Sequence, residues 1–242
     1  MSSASSSRRL SPASVLAGLV LALLCPGGAR AGGGEVVRED AQPRAGHIVW
    51  AQVAVRAKPD LKSPRMALLT QFHKDFRPRV VLAVATRVAP DGKALWYRVS
   101  LPGRPNGRTG WVPAESLDVK PILKEIRIDR SERRLELREN GKVRLRTTVA
   151  VGAPGMPTPL GLFYVVARYV PEDSFLGSFA FETSAYSSLS EWPGGGVVGI
   201  HGTSLPHLLG QAVSHGCVRV ANPAILKLRA LVPLGTPIRI VA

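Results

Sequence analysis

Cysteine is nearly absent from the 242-residue sequence: it occurs twice, as Cys25 and Cys217. A disulfide-built scaffold is excluded by that count. Acidic residues are also few, 17 against 32 Lys and Arg, for a net charge of +15. None lies between 193 and 242, and no HExxH occurs anywhere. A metal hydrolase with an acidic base therefore lacks its usual parts there, so no metal site is expected. No histidine follows Cys217, which rules out thiol peptidases that run Cys first and His later. No internal repeat stands out, against a solenoid. No nucleic-acid motif accompanies the basic charge, so nucleic acid is not an expected partner. Aromatics make up 6 %. What the chain does have is 45 % apolar residues, 24 Gly and 20 Pro, a mixture that suits many short strands and turns around a real core.

The first 31 residues read as a targeting segment. Arg8 and Arg9 precede the apolar run Val15–Leu24, and Ala29-Arg30-Ala31 forms an A-x-A site. That is the pattern of a secretory signal peptide, and the run is short for a membrane span. An uncleaved anchor is the alternative. After cleavage near Gly32, the exported chain keeps 29 basic and 17 acidic residues, a net +12, and one cysteine, Cys217. A leftover cysteine in an exported protein is a reactive thiol, an intermolecular partner or a buried small apolar residue. The positive charge favours polyanions such as anionic wall polymers.

Residues 32–46 read as a flexible leader. From Ile48 the pattern becomes mainly β. The segment 47–119 holds short alternating runs broken by Ala89-Pro90-Asp91-Gly92 and by a Pro/Gly/Asn loop, which suggests a small barrel. Val55-Arg56-Ala57-Lys58-Pro59, Trp96-Tyr97-Arg98-Val99 and Gly110-Trp111-Val112-Pro113 make this stretch resemble a bacterial SH3-like domain. Such domains bind ligands, often wall peptides. Trp96 and Trp111 are core or groove residues in that reading. A second β-rich region, 122–242, begins past Lys120-Pro121. Asn140-Gly141 predicts a type I′ hairpin. One C-terminal helix is expected, with Asn222 as its cap and Ile225, Leu228 and Leu231 on one face.

The densest chemical signal is GIHGTSLPHLLGQAVSHGCVRVAN, 199–222. A thiolate is a strong nucleophile, but a free thiol has a pKa of about 8.5 and needs a base. The loop carrying Pro206 and Gly210 lets the chain double back, so His201 and Cys217 can meet. Gly216 permits a sharp turn beside the sulfur, and backbone N–H groups of His215, Gly216 and Cys217 can then face a substrate carbonyl. Arg219, two residues on, either grips a carboxylate or carbonyl or forms a structural ion pair. His207, within the loop, is a lid candidate.

His201-Gly202 followed by Ser214-His215-Gly216-Cys217-Val218-Arg219 resembles the signature of the L,D-transpeptidases, the YkuD-type catalytic domain. The turn Pro157-Thr158-Pro159-Leu160-Gly161 and the strand after it are also similar, so the resemblance covers 122–241. It implies a mainly β fold of an SH3-like barrel followed by a β-rich catalytic domain. It also implies a reaction. Cys217 attacks the carbonyl of a diamino acid in a peptidoglycan tetrapeptide stem, D-alanine leaves, and an amine resolves the thioester. In the resemblance His201 is the base, the Gly202 carbonyl orients it, His215 lies against the site and Ser214 holds the turn. No cofactor is implied, and covalent inhibition by carbapenems is expected. Water as acceptor would make an L,D-carboxypeptidase, and loss of chemistry would leave a wall-binding protein.

Overall fold

Alternating apolar positions and glycine-bearing turns produce sixteen strands and one α-helix among the described residues. The structure is a computed structural model that describes residues 36–191 and 193–242. The expected signal peptide and Cys25 lie outside the described residues. No described helix is long and apolar enough to cross a membrane.

Seven strands form the first sheet: β1 (Val36–Ile48), β2 (Gln52–Arg56), β3 (Arg65–Thr70), β4 (Val80–Val88), β5 (Ala94–Ser100), β6 (Thr109–Pro113) and β7 (Leu117–Pro121). Their order is β3-β2-β6-β5-β4-β1-β7, and every pairing is antiparallel. The sheet wraps around its own core as a small barrel. Ile48, Val55, Leu69, Val81, Val99, Val112 and Leu117, one from each strand, meet in a single apolar cluster. Trp111 is buried with its ring under Arg98 at 5.9 Å, whereas Trp96 is only half-buried.

The stretch expected to be a flexible leader is structured from Val36 onward. It is β1, laddered to β4 on one side and β7 on the other. The reason lies in partners far along the chain. A Cβ on Gly46 would sit 1.7 Å from the Asp118 carbonyl oxygen, so glycine at 46 permits the close strand contact that polarity and glycine content had suggested was loop.

The second sheet comprises β8 (Lys124–Asp129), β9 (Arg134–Glu139), β10 (Lys142–Gly152), β11 (Gly161–Tyr169), β12 (Ala180–Tyr186), β13 (Val197–His201), β14 (Ala212–Ser214), β15 (Val218–Val220) and β16 (Pro237–Val241). Its order is β14-β10-β15-β13-β12-β11-β16-β8-β9, with β9 also pairing β10. Asn140 and Gly141 both have positive φ, 50° and 76°, as a type I′ turn requires. Twenty buried residues fill the core of this sheet. The helix α1 (Asn222–Leu231) contributes Ile225 and Leu228 to it, but Leu231 remains exposed.

Asn222 does not cap α1. The cap position is Ala221, with no side-chain hydrogen bond. The Asn222 amide instead ties two loops together. Its Oδ1 accepts from Ser178 N at 3.0 Å and Thr203 N at 3.2 Å, and its Nδ2 donates to the Thr203 carbonyl at 3.0 Å. The two sheets share a third apolar cluster, in which Tyr164 packs with Ala45, Val80 and Leu82.

Candidate active site

Three short strands and one turn create the site. β13 ends at His201, and β15 runs parallel to it with Ile200 opposite Val218 and His201 opposite Arg219. This register brings the turn before β15, with Cys217, level with the end of β13. The turn is held from both sides. Ser214 Oγ donates to the Cys217 carbonyl at 2.6 Å and accepts from Gly216 N at 3.1 Å. Thr158 Oγ donates to the Gly216 carbonyl at 2.9 Å and accepts from Gly152 N at 2.9 Å. Gly216 has φ +116°, and a Cβ there would meet Ser187 Cβ at 3.0 Å. Glycine is required on both counts.

His201 and Cys217 line one cavity of about 510 Å³, with Tyr169, Phe175, Glu182 and Gly199 among its walls. Gly199 separates them. A Cβ placed on it would lie 3.8 Å from His201 Cδ2 and 3.9 Å from Cys217 Sγ. Its N–H donates to Sγ at 3.3 Å. The His201 ring bonds through Nδ1 to the Gly202 carbonyl at 2.6 Å, which assigns the proton to Nδ1 and leaves Nε2 as the acceptor. Gly202 is confined in turn, because a Cβ would strike Asn222 Oδ1 at 2.2 Å.

The electrostatics follow from burial. His201 is 3 % exposed. Burial pushes its pKa down, the bond to Gly202 opposes that, and the Arg219 cation adds to it. Burial pushes the Cys217 thiol up, against the Gly199 N–H and Arg219. Both shifts favour the uncharged forms, thiol and imidazole. Arg219 is 7 % exposed, with its Cζ 4.8 Å from the Phe175 ring and no partner for Nε. No carboxylate pairs with it among the described residues, so the structural ion pair is not the arrangement found.

His215 is half-buried and is not among the cavity walls, and exposed His207 is not either. Of the three backbone donors expected at the turn, the Gly216 N–H is already taken by Ser214. Gly199, Glu182, Tyr169 and Phe175 were not singled out from sequence. Only Gly199 carried a usable signal, two residues before His201. No group of three or more His, Cys, Asp and Glu converges as metal ligands among the described residues. A second cavity of about 430 Å³, lined by His47, His73, Arg77, Arg168 and Arg229, contains neither Cys217 nor His201.

With this geometry in view, residues 123–240 match the family model of the YkuD L,D-transpeptidase catalytic domain. The chain is similar to the YkuD protein of Bacillus subtilis (strain 168), 30 % identical over 154 residues, covering 60 % of this chain and 88 % of that protein. It is also similar to YkuD of Bacillus licheniformis, 34 % identical over 115 residues, covering 48 % of this chain and 64 % of that one. Among solved structures, an Enterococcus faecium L,D-transpeptidase aligns with TM-score 0.40 and 22 % identity, covering 52 % of this chain and 56 % of that chain.

Proposed function

The chain belongs to the L,D-transpeptidase family with the YkuD-type catalytic domain, and on that footing we propose that it is a cysteine-dependent acyltransferase acting on peptidoglycan stem peptides outside the cytoplasm. One observation carries the reading: His201 and Cys217 wall a single cavity, and the Gly199 N–H points at the sulfur.

In this reading the donor is a tetrapeptide ending in D-alanine. As Cys217 Sγ attacks the carbonyl before that residue, its proton passes to His201 Nε2. The Gly202 carbonyl holds the resulting imidazolium by its Nδ1–H. The Cys217 N–H stabilises the oxyanion, with Arg219 supplying positive potential behind it. The C–N bond breaks, D-alanine leaves with the proton from His201, and a thioester remains. An acceptor amine attacks that thioester, gives its proton to His201, and the thiol is restored by return of that proton. Ser214, Gly216 and Thr158 keep the turn in shape. His215 belongs to the turn but is not among the cavity walls. The barrel, 47–119, is read as an SH3-like wall-binding module beside a catalytic domain at 122–242. The basic surface favours anionic wall polymers, and a half-buried thiol on the wall of a cavity that also holds a base suits acylation by carbapenems.

The test is incubation of the exported chain with a disaccharide-tetrapeptide, with products read by mass. Loss of D-alanine with a joined dimer is expected, and Cys217→Ala should abolish both. His201→Ala should slow the reaction by roughly 10²–10⁴-fold. Loss of D-alanine without a dimer would assign water as acceptor. Turnover by Cys217→Ala would overturn the nucleophile.

A further inference from the structure

Two carboxylates stand on the walls of the cavity that holds Cys217: Asp173, which accepts from Phe175 N, and Glu182, for which the acyl-transfer chemistry has no use. Glu182 lies on β12, opposite Ala167 of β11 and Gly199 of β13. Gly199 is the residue whose N–H touches the sulfur. The Glu182 side chain is thus one strand away from the nucleophile and on the cavity wall.

No hydrogen bond or ion pair engages the Glu182 carboxylate among the described residues. The charges that act on it, Arg77 and Asp75, are already paired with each other at 2.6 Å. Two tyrosines feel its charge. Burial and then the Glu182 charge push the Tyr169 and Tyr186 hydroxyls above ordinary phenol values. Arg104 covers the Tyr186 ring at 5.0 Å, while Tyr169 is itself a cavity wall. Burial also pushes Glu182 up, with the Arg77 charge opposing it. A half-buried carboxylate on a cavity wall shared with the Tyr169 ring is suited to a positively charged guest.

Resting on the acyl-transfer reading of this cavity, we propose that Glu182, with Tyr169, forms a subsite for a primary ammonium group of the reacting peptides. Two sources present that group. One is the side chain of a diamino acid at the reacting position of the donor. The other is the incoming acceptor amine, held as ammonium before it loses its proton.

The full exported chain carrying Cys217→Ala reads donor binding without chemistry. Two tetrapeptides are compared by calorimetry, identical except that the third-residue side-chain amine is free or acetylated. The free amine should bind on the order of ten- to a hundredfold tighter, the value of a hydrogen bond to a charged group. Adding Glu182→Gln should bring the two to within about twofold, and Glu182→Asp should restore part of the preference. Melting temperature confirms that each variant is folded. For the acceptor, chains with native Cys217 are loaded as thioester, and dimer is measured against hydrolysed product. A drop in dimer yield in Glu182→Gln with unaltered donor preference assigns the subsite to the acceptor. Unaltered donor preference and unaltered dimer yield in folded Glu182→Gln would overturn the proposal. If no thioester forms on native Cys217 while the binding preference persists and depends on Glu182, the acyl-transfer reading fails and the ammonium subsite stands.

Discussion

Burial acts in opposite directions on the two side chains proposed to react. His201 is pushed below the ordinary imidazole value of about 6.5, and Cys217 is pushed up. Both shifts favour a neutral pair, and in the proposed reaction proton transfer accompanies attack. The acid limb of kcat/KM for D-alanine release should then lie below pH 6.5, since activity is lost only as pH falls through the lowered His201 value. Alkylation of Cys217 by iodoacetamide should be slow at pH 7 and rise beyond the free-thiol range of about 8.5. Alkylation already maximal at pH 7 would mean a resting ion pair and overturn this assignment. At this scale the sequence was informative where a motif is local. His201, Gly202, Ser214, Gly216 and Cys217 fall within seventeen residues, and their types state their chemistry. Thr158, Asn222 and Gly199 were not assigned their roles, because each acts through a contact made by the fold: Thr158 bonds Gly216, 58 residues away.

Among elements, the loop between β5 and β6 is bonded to the segment that leads into the wall of the Cys217 cavity. Arg104 donates to the carbonyls of Ser187, Leu189 and Gly195 at 2.9–3.0 Å, and Asn106 exchanges two hydrogen bonds with Tyr186. These bonds pin the segment between β12 and β13, which brings Gly194 and Val197 to the cavity. Arg104→Ala should lower kcat/KM by about 10- to 100-fold through misplacement of that wall. Arg104→Lys should not rescue it, because an ammonium cannot reproduce the planar fork that spans three carbonyls. Full activity in Arg104→Ala would sink the idea. The Pro/Gly/Asn composition marked this loop as a turn, and that much is correct. Its docking was invisible, since its acceptors are backbone carbonyls and carry no sequence signature. The same cause explains β1. Ladder partners at β4 and β7 turn a charged stretch with a proline and a glycine into a strand, and local propensity cannot see them. Asn140-Gly141 was legible because a type I′ turn is specified by its own two residues.

For the whole molecule, the apolar junction decides whether barrel and catalytic sheet unfold separately. Tyr164 belongs to β11 of the catalytic sheet, is 1 % exposed, and is packed against Ala45, Val80 and Leu82 of the barrel. Burial also pushes its hydroxyl well above ordinary phenol values, so the folded state keeps the proton and loses stability as pH rises beyond about 10. Leu162, Val166, Ile122 and Leu234 extend the patch. Stripping the barrel away would expose this surface on the catalytic side, a penalty that a loosely tethered binding module would not impose. Calorimetry of the exported chain should therefore show one cooperative transition. Tyr164→Ala should cost about 3–5 kcal/mol, lowering Tm by roughly 10 °C at this chain length. It should also split the transition, because the cavity falls on the contact that couples the two sheets. Two separate transitions in the unmodified chain would mean that the junction contributes little, and that the barrel can be removed without disturbing the nucleophile.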